Sequence, residues 1–272
     1  MLIADLGDIR LHYRLDGPED GAPLVFANAL GTDLRIWDGV LAALPDGLRV
    51  LRYDMRGHGL SDAPDGPYSM GNLVRDVERL MEHVGMTDAV FVGLSIGGMV
   101  AQGLAAKRLD LVRALVLSHT ACKIGTRAIW EDRIAAVEAR GLAAISGGTL
   151  EKWLAPAYRA APDALAIRHM FERTPLQGYI GCCHAISGTD FMTPTSGLRC
   201  AALGIAASKD GSTPPDLVRE TIGLIPGAQF HLMRGAGHLA CVEKPADYAA
   251  ILGAFLSAQG HGVPPVSDQL GM

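Results

Sequence analysis

The sequence predicts an α/β protein: a mostly parallel, doubly wound sheet with an inserted helical lid. Three features carry that prediction. Short aliphatic runs of strand length alternate with helix-length periodic stretches as far as Ser118, the pattern of strand–helix–strand units. The alternation then stops, and from Lys123 to Thr189 apolar residues keep helical spacing with no strand pattern. It resumes for two more strands and two more helices.

Each element has its own signal. Leu2–Asp5 and Ile9–Arg14 alternate around Leu6-Gly7-Asp8, which predicts a β-hairpin. Leu24–Asn28, Arg49–Asp54, Ala89–Val92 and Arg113–Leu117 are short runs of Val, Leu, Phe and Ile, as expected of strands covered on both faces. Between them, Ile36–Leu44, Met70–Val84 and Gly98–Lys107 predict helices. Trp130/Ile134/Val137, Leu150/Trp153/Leu154 and Ile167/Met170/Phe171 fall on helical faces in the insertion. The late part predicts a strand at Leu198–Ala206, a helix at Pro215–Ile225, a strand at Gln229–Met233 and a helix at Pro245–Ala258. The expected organisation is a core of residues 1–122 and 190–259, a lid of residues 123–189, and a loose tail over 260–272, which carries Pro264-Pro265.

Composition narrows the class of partner. With 272 residues, 49% of them apolar and 19% charged, the chain supports a large core without metals or disulfides. Lys and Arg number 24 against 29 Asp and Glu, a net charge of −5 with no basic stripe, so nucleic acid is not an expected partner. Cys122, Cys182, Cys183, Cys200 and Cys241 are odd in number and lack zinc or redox spacing, which predicts reduced thiols. Met1–Arg10 lacks the charged and apolar regions of a signal peptide, and no apolar run nears the ~20 residues that cross a bilayer. A cytoplasmic protein that does not engage membranes is expected. No histidine or carboxylate cluster has ligand spacing, so no metal is expected.

The chemistry concentrates at Gly93-Leu94-Ser95-Ile96-Gly97-Gly98, a G-x-S-x-G run set between a predicted strand and a predicted helix. The turn is too tight for side chains at the glycine positions, and it pushes the Ser95 hydroxyl into the open. The Ile96 amide lies at the helix N-terminus, where unpaired N–H groups and the dipole favour negative charge. The pattern for a nucleotide-binding turn is absent here.

A serine needs a base, and at such a turn the chain order is nucleophile, acid, base. His231, His238 and His261 are the histidines beyond the late strand. His231 falls inside a predicted strand and His261 in the tail, whereas His238 stands in the loop Arg234-Gly235-Ala236-Gly237-His238 just past the last strand. Asp210, in Ser208-Lys209-Asp210-Gly211-Ser212-Thr213-Pro214-Pro215, occupies the loop after the preceding strand. There it would hold the imidazole in one tautomer and stabilise the imidazolium. A second oxyanion donor is expected from Phe26-Ala27-Asn28-Ala29-Leu30-Gly31, through the Leu30 amide.

These residues resemble the α/β-hydrolase superfamily, whose order is also matched by Asp54-Met55-Arg56-Gly57-His58-Gly59-Leu60-Ser61-Asp62 and by Gly235-Ala236-Gly237-His238. The resemblance covers most of the chain and implies the α/β-hydrolase fold. A narrower resemblance is to the 3-oxoadipate enol-lactonases of bacterial aromatic catabolism. It rests on Phe26 through Asp33, Gly93 through Met99, Asp210 through Pro215, and Gly178-Tyr179-Ile180-Gly181-Cys182-Cys183. Asn28-Ala29 stands where many superfamily members have His-Gly. The chain departs from the family at Ala207-Ser208, where Gly-Asp is usual, which bears on how the Asp210 loop is braced.

The resemblance implies a small lactone substrate that bears a free carboxylate, opened through an acyl-enzyme without a cofactor. Trp130 and Arg133 lie three apart on one predicted helical face, where an indole N–H and a guanidinium would grip such an anion. The alternative is that Trp130 packs the lid core and Arg133 is solvated. Lys123 and Arg127 are weaker candidates. Rival functions are a carboxylesterase or C–C bond hydrolase of the same fold and, in another class, a non-catalytic ligand receptor on a hydrolase scaffold.

Overall fold

A computed structural model describes residues 1–262. Eight strands form one sheet: β1 (Leu2–Asp5), β2 (Arg10–Asp16), β3 (Ala22–Ala27), β4 (Leu48–Tyr53), β5 (Ala89–Leu94), β6 (Val112–Ser118), β7 (Ala201–Ala207) and β8 (Gln229–Met233). Their spatial order is β1-β2-β4-β3-β5-β6-β7-β8. The hairpin β1–β2 and the β2–β4 pair are antiparallel, and every later pair is parallel. All six residues of β5 are buried, as its central place demands.

The helices are α1 (Asp38–Leu41), α2 (Met70–His83), α3 (Ile96–Lys107), α4 (Arg127–Trp153), α5 (Pro162–Glu172), α6 (Leu176–Ser187), α7 (Met192–Ser196), α8 (Pro215–Gly223), α9 (Ala240–Glu243) and α10 (Pro245–Ala258). Among the described residues, no helix is long and apolar enough to cross a membrane. Ser69 and Asn72 fix the start of α2 with a reciprocal capping box, worth about 1 kcal/mol. α3 packs against β5 and β6, α8 against β7, and α1 against α10. α4 to α7 occupy the interval between β6 and β7, with α4 lying against α5 and α6.

Several local expectations change. The helix expected at Ile36–Leu44 is a 3-10 turn, Leu34–Trp37, followed by the single-turn α1. Asp33 caps that turn and Asp54 takes the Leu34 amide, so local hydrogen bonds shape the segment more than its apolar spacing does. α3 begins at Ile96, two residues before the glycine that was expected to open it. The insertion pattern hides a break: α4 kinks at Gly141, whose φ of 72° and ψ of 172° belong to a region only glycine occupies readily.

The stretch expected to be loose from residue 260 starts docked. His261 is buried, its amide donates to Leu256 O at 2.9 Å, and its Nε2 donates to Pro23 O at 2.7 Å. A main-chain carbonyl offered to a ring N–H outweighed the polar composition there. The remainder of the expected tail, from 263, lies outside the described residues.

Candidate active site

Ser95 sits at the β5–α3 junction with φ 58° and ψ −119°, a left-handed conformation rare for a residue with a side chain. Its neighbours show why the turn holds. A Cβ on Gly93 would run into the Gly97 carbonyl, one on Gly97 into the Ala27 carbonyl, and one on Gly98 into the Thr120 side chain. The three glycines let the elbow, the β3 end and the Thr120 loop approach as bare backbone. Thr120 Oγ1 donates to Ser95 O at 2.6 Å and Ser95 N to Ser118 O at 3.0 Å, which fixes the strained residue from two sides.

His238 and Asp210 meet above the C-terminal ends of β7 and β8. His238 Nδ1 lies 2.8 Å from Asp210 Oδ2, with both side chains almost wholly buried. Asp210 accepts three further hydrogen bonds: Ser212 N at 2.8 Å, Thr213 N at 2.9 Å and Thr213 Oγ1 at 2.9 Å. Burial alone raises a carboxyl pKa, but His238, His119 and the Thr213 amide together hold Asp210 below the ordinary aspartate value. It therefore stands ionised, and in the 2.8 Å contact His238 Nδ1–H donates while Asp210 Oδ2 accepts.

The loops that carry Asp210 and His238 are tied to each other and to the end of α4. Ser208 Oγ accepts Gly235 N at 2.9 Å, which answers the missing Gly-Asp with a different brace. Lys152 O accepts the Gly211 amide at 2.9 Å and Trp153 O accepts the His238 amide at 2.7 Å. The Glu243 carboxylate takes Gly237 N at 3.0 Å and Ala155 N at 3.3 Å. The Trp153 ring stacks on His238 with centroids 6.2 Å apart, and the buried His119 ring meets it edge to face at 5.9 Å.

Ser95, His238 and Leu30 line a single cavity of about 250 Å³. That is below the ~300–1,000 Å³ of sites for drug-sized ligands and suits a small ring. Among the described residues the Ser95 hydroxyl makes no hydrogen bond; nucleophile–base contacts are often long in unliganded enzymes and tighten around substrate. The Leu30 and Ile96 amides have no partner among the described residues either, while the adjacent amides of Gly31 and Thr32 are taken by His58 and Ala29.

The inserted helices roof this cavity and correct one expectation. Trp130 lines the cavity, but its indole N–H is spent on Ile124 O at 2.7 Å, so it supplies an apolar wall and not an anion grip. A carbonyl six residues back in the chain reaches the indole before any ligand does. Arg133 is half-buried in the lining, with Nε donating to Tyr179 Oη at 2.6 Å and Nη2 to Thr149 Oγ1 at 3.0 Å. Both partners are neutral, and no carboxylate pairs with Arg133 among the described residues. Lys123 pairs with Asp190 and Arg127 faces Glu131, both outside the cavity.

Sequence reasoning passed over His119, Trp153, Thr213, Lys152 and Glu243. Burial drives the pKa of His119, the second imidazole beside Asp210, down to about 4. Nothing in its local sequence marks it; only the fold brings the end of β6 against His238.

The fold and the turn that carries Ser95 define a hydrolase. Residues 24–251 match the alpha/beta hydrolase family, to which the chain belongs. Its relatives narrow the class. The chain is 32% identical over 240 residues to 3-oxoadipate enol-lactonase 2 of Acinetobacter baylyi, covering 88% of this chain and 90% of that protein. It is 32% identical over 250 residues to enol-lactonase 1 of the same organism, covering 91% and 93%. The crystal structure of the enol-lactonase from Burkholderia xenovorans superposes with a TM-score of 0.90 at 34% identity, over 94% of this chain and 100% of that one.

Proposed function

We propose that the protein opens a small enol-lactone bearing a free carboxylate, 3-oxoadipate enol-lactone by likeness to its relatives, and releases the keto acid through an acyl-enzyme. The observation that carries this reading is the charge of the cavity. Its lining includes Arg133 and Lys152 and no Asp or Glu among the described residues, in a chain whose net charge is −5. A cation held by neutral partners in a half-buried wall has lost water and gained no counter-ion, so an anionic ligand completes it.

The reading assigns each residue a step. His238 Nε2 takes the Ser95 proton as Oγ bonds to the lactone carbonyl carbon. The carbonyl oxygen becomes an oxyanion facing the Leu30 and Ile96 amides, each such donor being worth roughly 3–4 kcal/mol. Collapse breaks the ring C–O bond and expels an enolate, which takes the proton from the His238 imidazolium to give an enol that tautomerises to the ketone, and leaves His238 neutral. His238 then deprotonates a water that attacks the acyl carbon, and the proton returns to Ser95 Oγ as the second carboxylate leaves.

Ser95→Ala is expected to abolish lactone opening while the far-UV spectrum and melting temperature stay as in the wild type. A panel pairing the enol-lactone with neutral aryl esters tests the substrate class, and faster turnover of the neutral esters refutes it. Labelling by an active-serine phosphonate, with Ser95→Ala as control, separates an enzyme from a receptor.

A further inference from the structure

The segment after β4 holds a histidine that none of this chemistry uses. His58 is fully buried and does not line the cavity. Its Nε2 lies 2.8 Å from the Gly31 amide. A backbone N–H only donates, so Nε2 is the unprotonated acceptor, and Nδ1–H donates to Arg56 O at 3.2 Å. Two main-chain groups thereby fix both the tautomer and the ring plane.

Gly31 directly follows Leu30. It stands at φ 76°, in a place where Phe171 leaves no room for a side chain. The rest of this loop is bonded in turn: Asn28 Nδ2 donates to Tyr53 O at 2.7 Å, Thr32 N to Ala29 O at 3.1 Å, and Leu34 N to Asp54 Oδ1 at 2.9 Å. The last residue of β4 and the residues that follow it thus hold the loop at both ends and at its centre, and the contact at the centre is His58. Every N–H named here is spoken for except that of Leu30.

We propose that His58 is a positioning residue for the oxyanion-binding loop: by accepting the Gly31 N–H it fixes the peptide plane beside Leu30 and keeps the Leu30 N–H aimed at the reacting carbonyl oxygen. The inference rests on the serine-hydrolase reading above but not on the identity of the lactone. An oxyanion donor acts through its placement before the reaction, so slack in the loop costs transition-state binding and leaves ground-state binding alone.

The test compares His58→Leu, which removes the acceptor, with His58→Gln, which returns an acceptor oxygen at about the reach of Nε2. In protein that melts above the assay temperature, His58→Leu is expected to lower kcat about 10²-fold on the lactone and on phenyl acetate alike, with KM little changed. A small boronic acid, whose adduct on Ser95 presents a tetrahedral oxygen, loses the same factor in Ki, and His58→Gln recovers most of both losses. A folded His58→Leu protein with kcat and boronate Ki within about twofold of wild type overturns the proposal. So does an equal loss of affinity for a simple dicarboxylate inhibitor, which marks a general disturbance of the cavity. Should His58→Leu not fold, nitrogen-15 NMR of the unaltered enzyme decides. Nε2 as an unprotonated acceptor upholds the proposal, and a proton on Nε2 overturns it. Wild-type enzyme that ignores the lactone yet hydrolyses phenyl acetate refutes the substrate reading and leaves this one standing.

Discussion

Arg133→Gln is the substitution that bears most directly on what the cavity recognises. A glutamine places its amide nitrogen where Arg133 Nε stands, so it can still meet Tyr179 Oη, while the charge and the longer reach to Thr149 Oγ1 are lost. An ion pair at 4 Å in surroundings of effective dielectric near 20 is worth about 4 kcal/mol gross. After desolvation, a charge-assisted hydrogen bond leaves about 1.5–3 kcal/mol net. That range corresponds to a fall of roughly 10- to 150-fold in kcat/KM for the carboxylate-bearing lactone. The same ring with a methyl group in place of the carboxymethyl arm supplies the control, since it offers the guanidinium nothing. Measured side by side, the preference for the anionic lactone should shrink by the full factor, with the methyl lactone unchanged. A preference that stays within about twofold of wild type refutes Arg133 as the anion's partner.

Asp210→Asn is expected to lower kcat by about 10⁴-fold, because an amide at Oδ2 invites the wrong His238 tautomer; single-turnover kinetics with melting curves separate this from a folding defect. Acid should unfold the protein early. Burial drives both His58 and His119 down to about 4, from an ordinary value of 6.5. The unfolded chain therefore binds more protons below pH 6.5, and the stability these two rings contribute is full above that value and drains away as pH falls towards 4. Each should cost about 2 kcal/mol between pH 7 and pH 5. Urea midpoints at the two values check this, and a midpoint unchanged between them contradicts it.

How much of this was legible in the sequence depends on how local the cause is. Gly93, Gly97 and Ser95 betray their turn because the clash they avoid lies within the turn or against the neighbouring strand. Asp210 and His238 stand out by their order along the chain, since each falls in the loop that ends a predicted strand, and the structure brings the two side chains together. Between the two readings of Trp130 the sequence cannot choose, because periodicity fixes the face of a helix but not which carbonyl captures an indole N–H. His119, Trp153 and Glu243 were invisible for a related reason. Their meaning comes from contacts with loops distant in the chain, and a lone histidine after a strand carries no mark of the ring it will face. The kink at Gly141 was hidden by good helical spacing on either side of it.

That kink gives the roof two unequal parts. The rear part of α4 ends on carbonyls that receive the Gly211 and His238 amides, so it is bolted to the machinery it covers and cannot lift without pulling acid and base apart. The front part, ahead of Gly141, carries Trp130 and Arg133 and is fastened to the rear by the Arg133–Thr149 hydrogen bond. Motion confined to the front part would leave the Gly211 and His238 amides on their carbonyls. Under the function proposed above, the guanidinium that meets the anion is also the group that ties the front part to the rear.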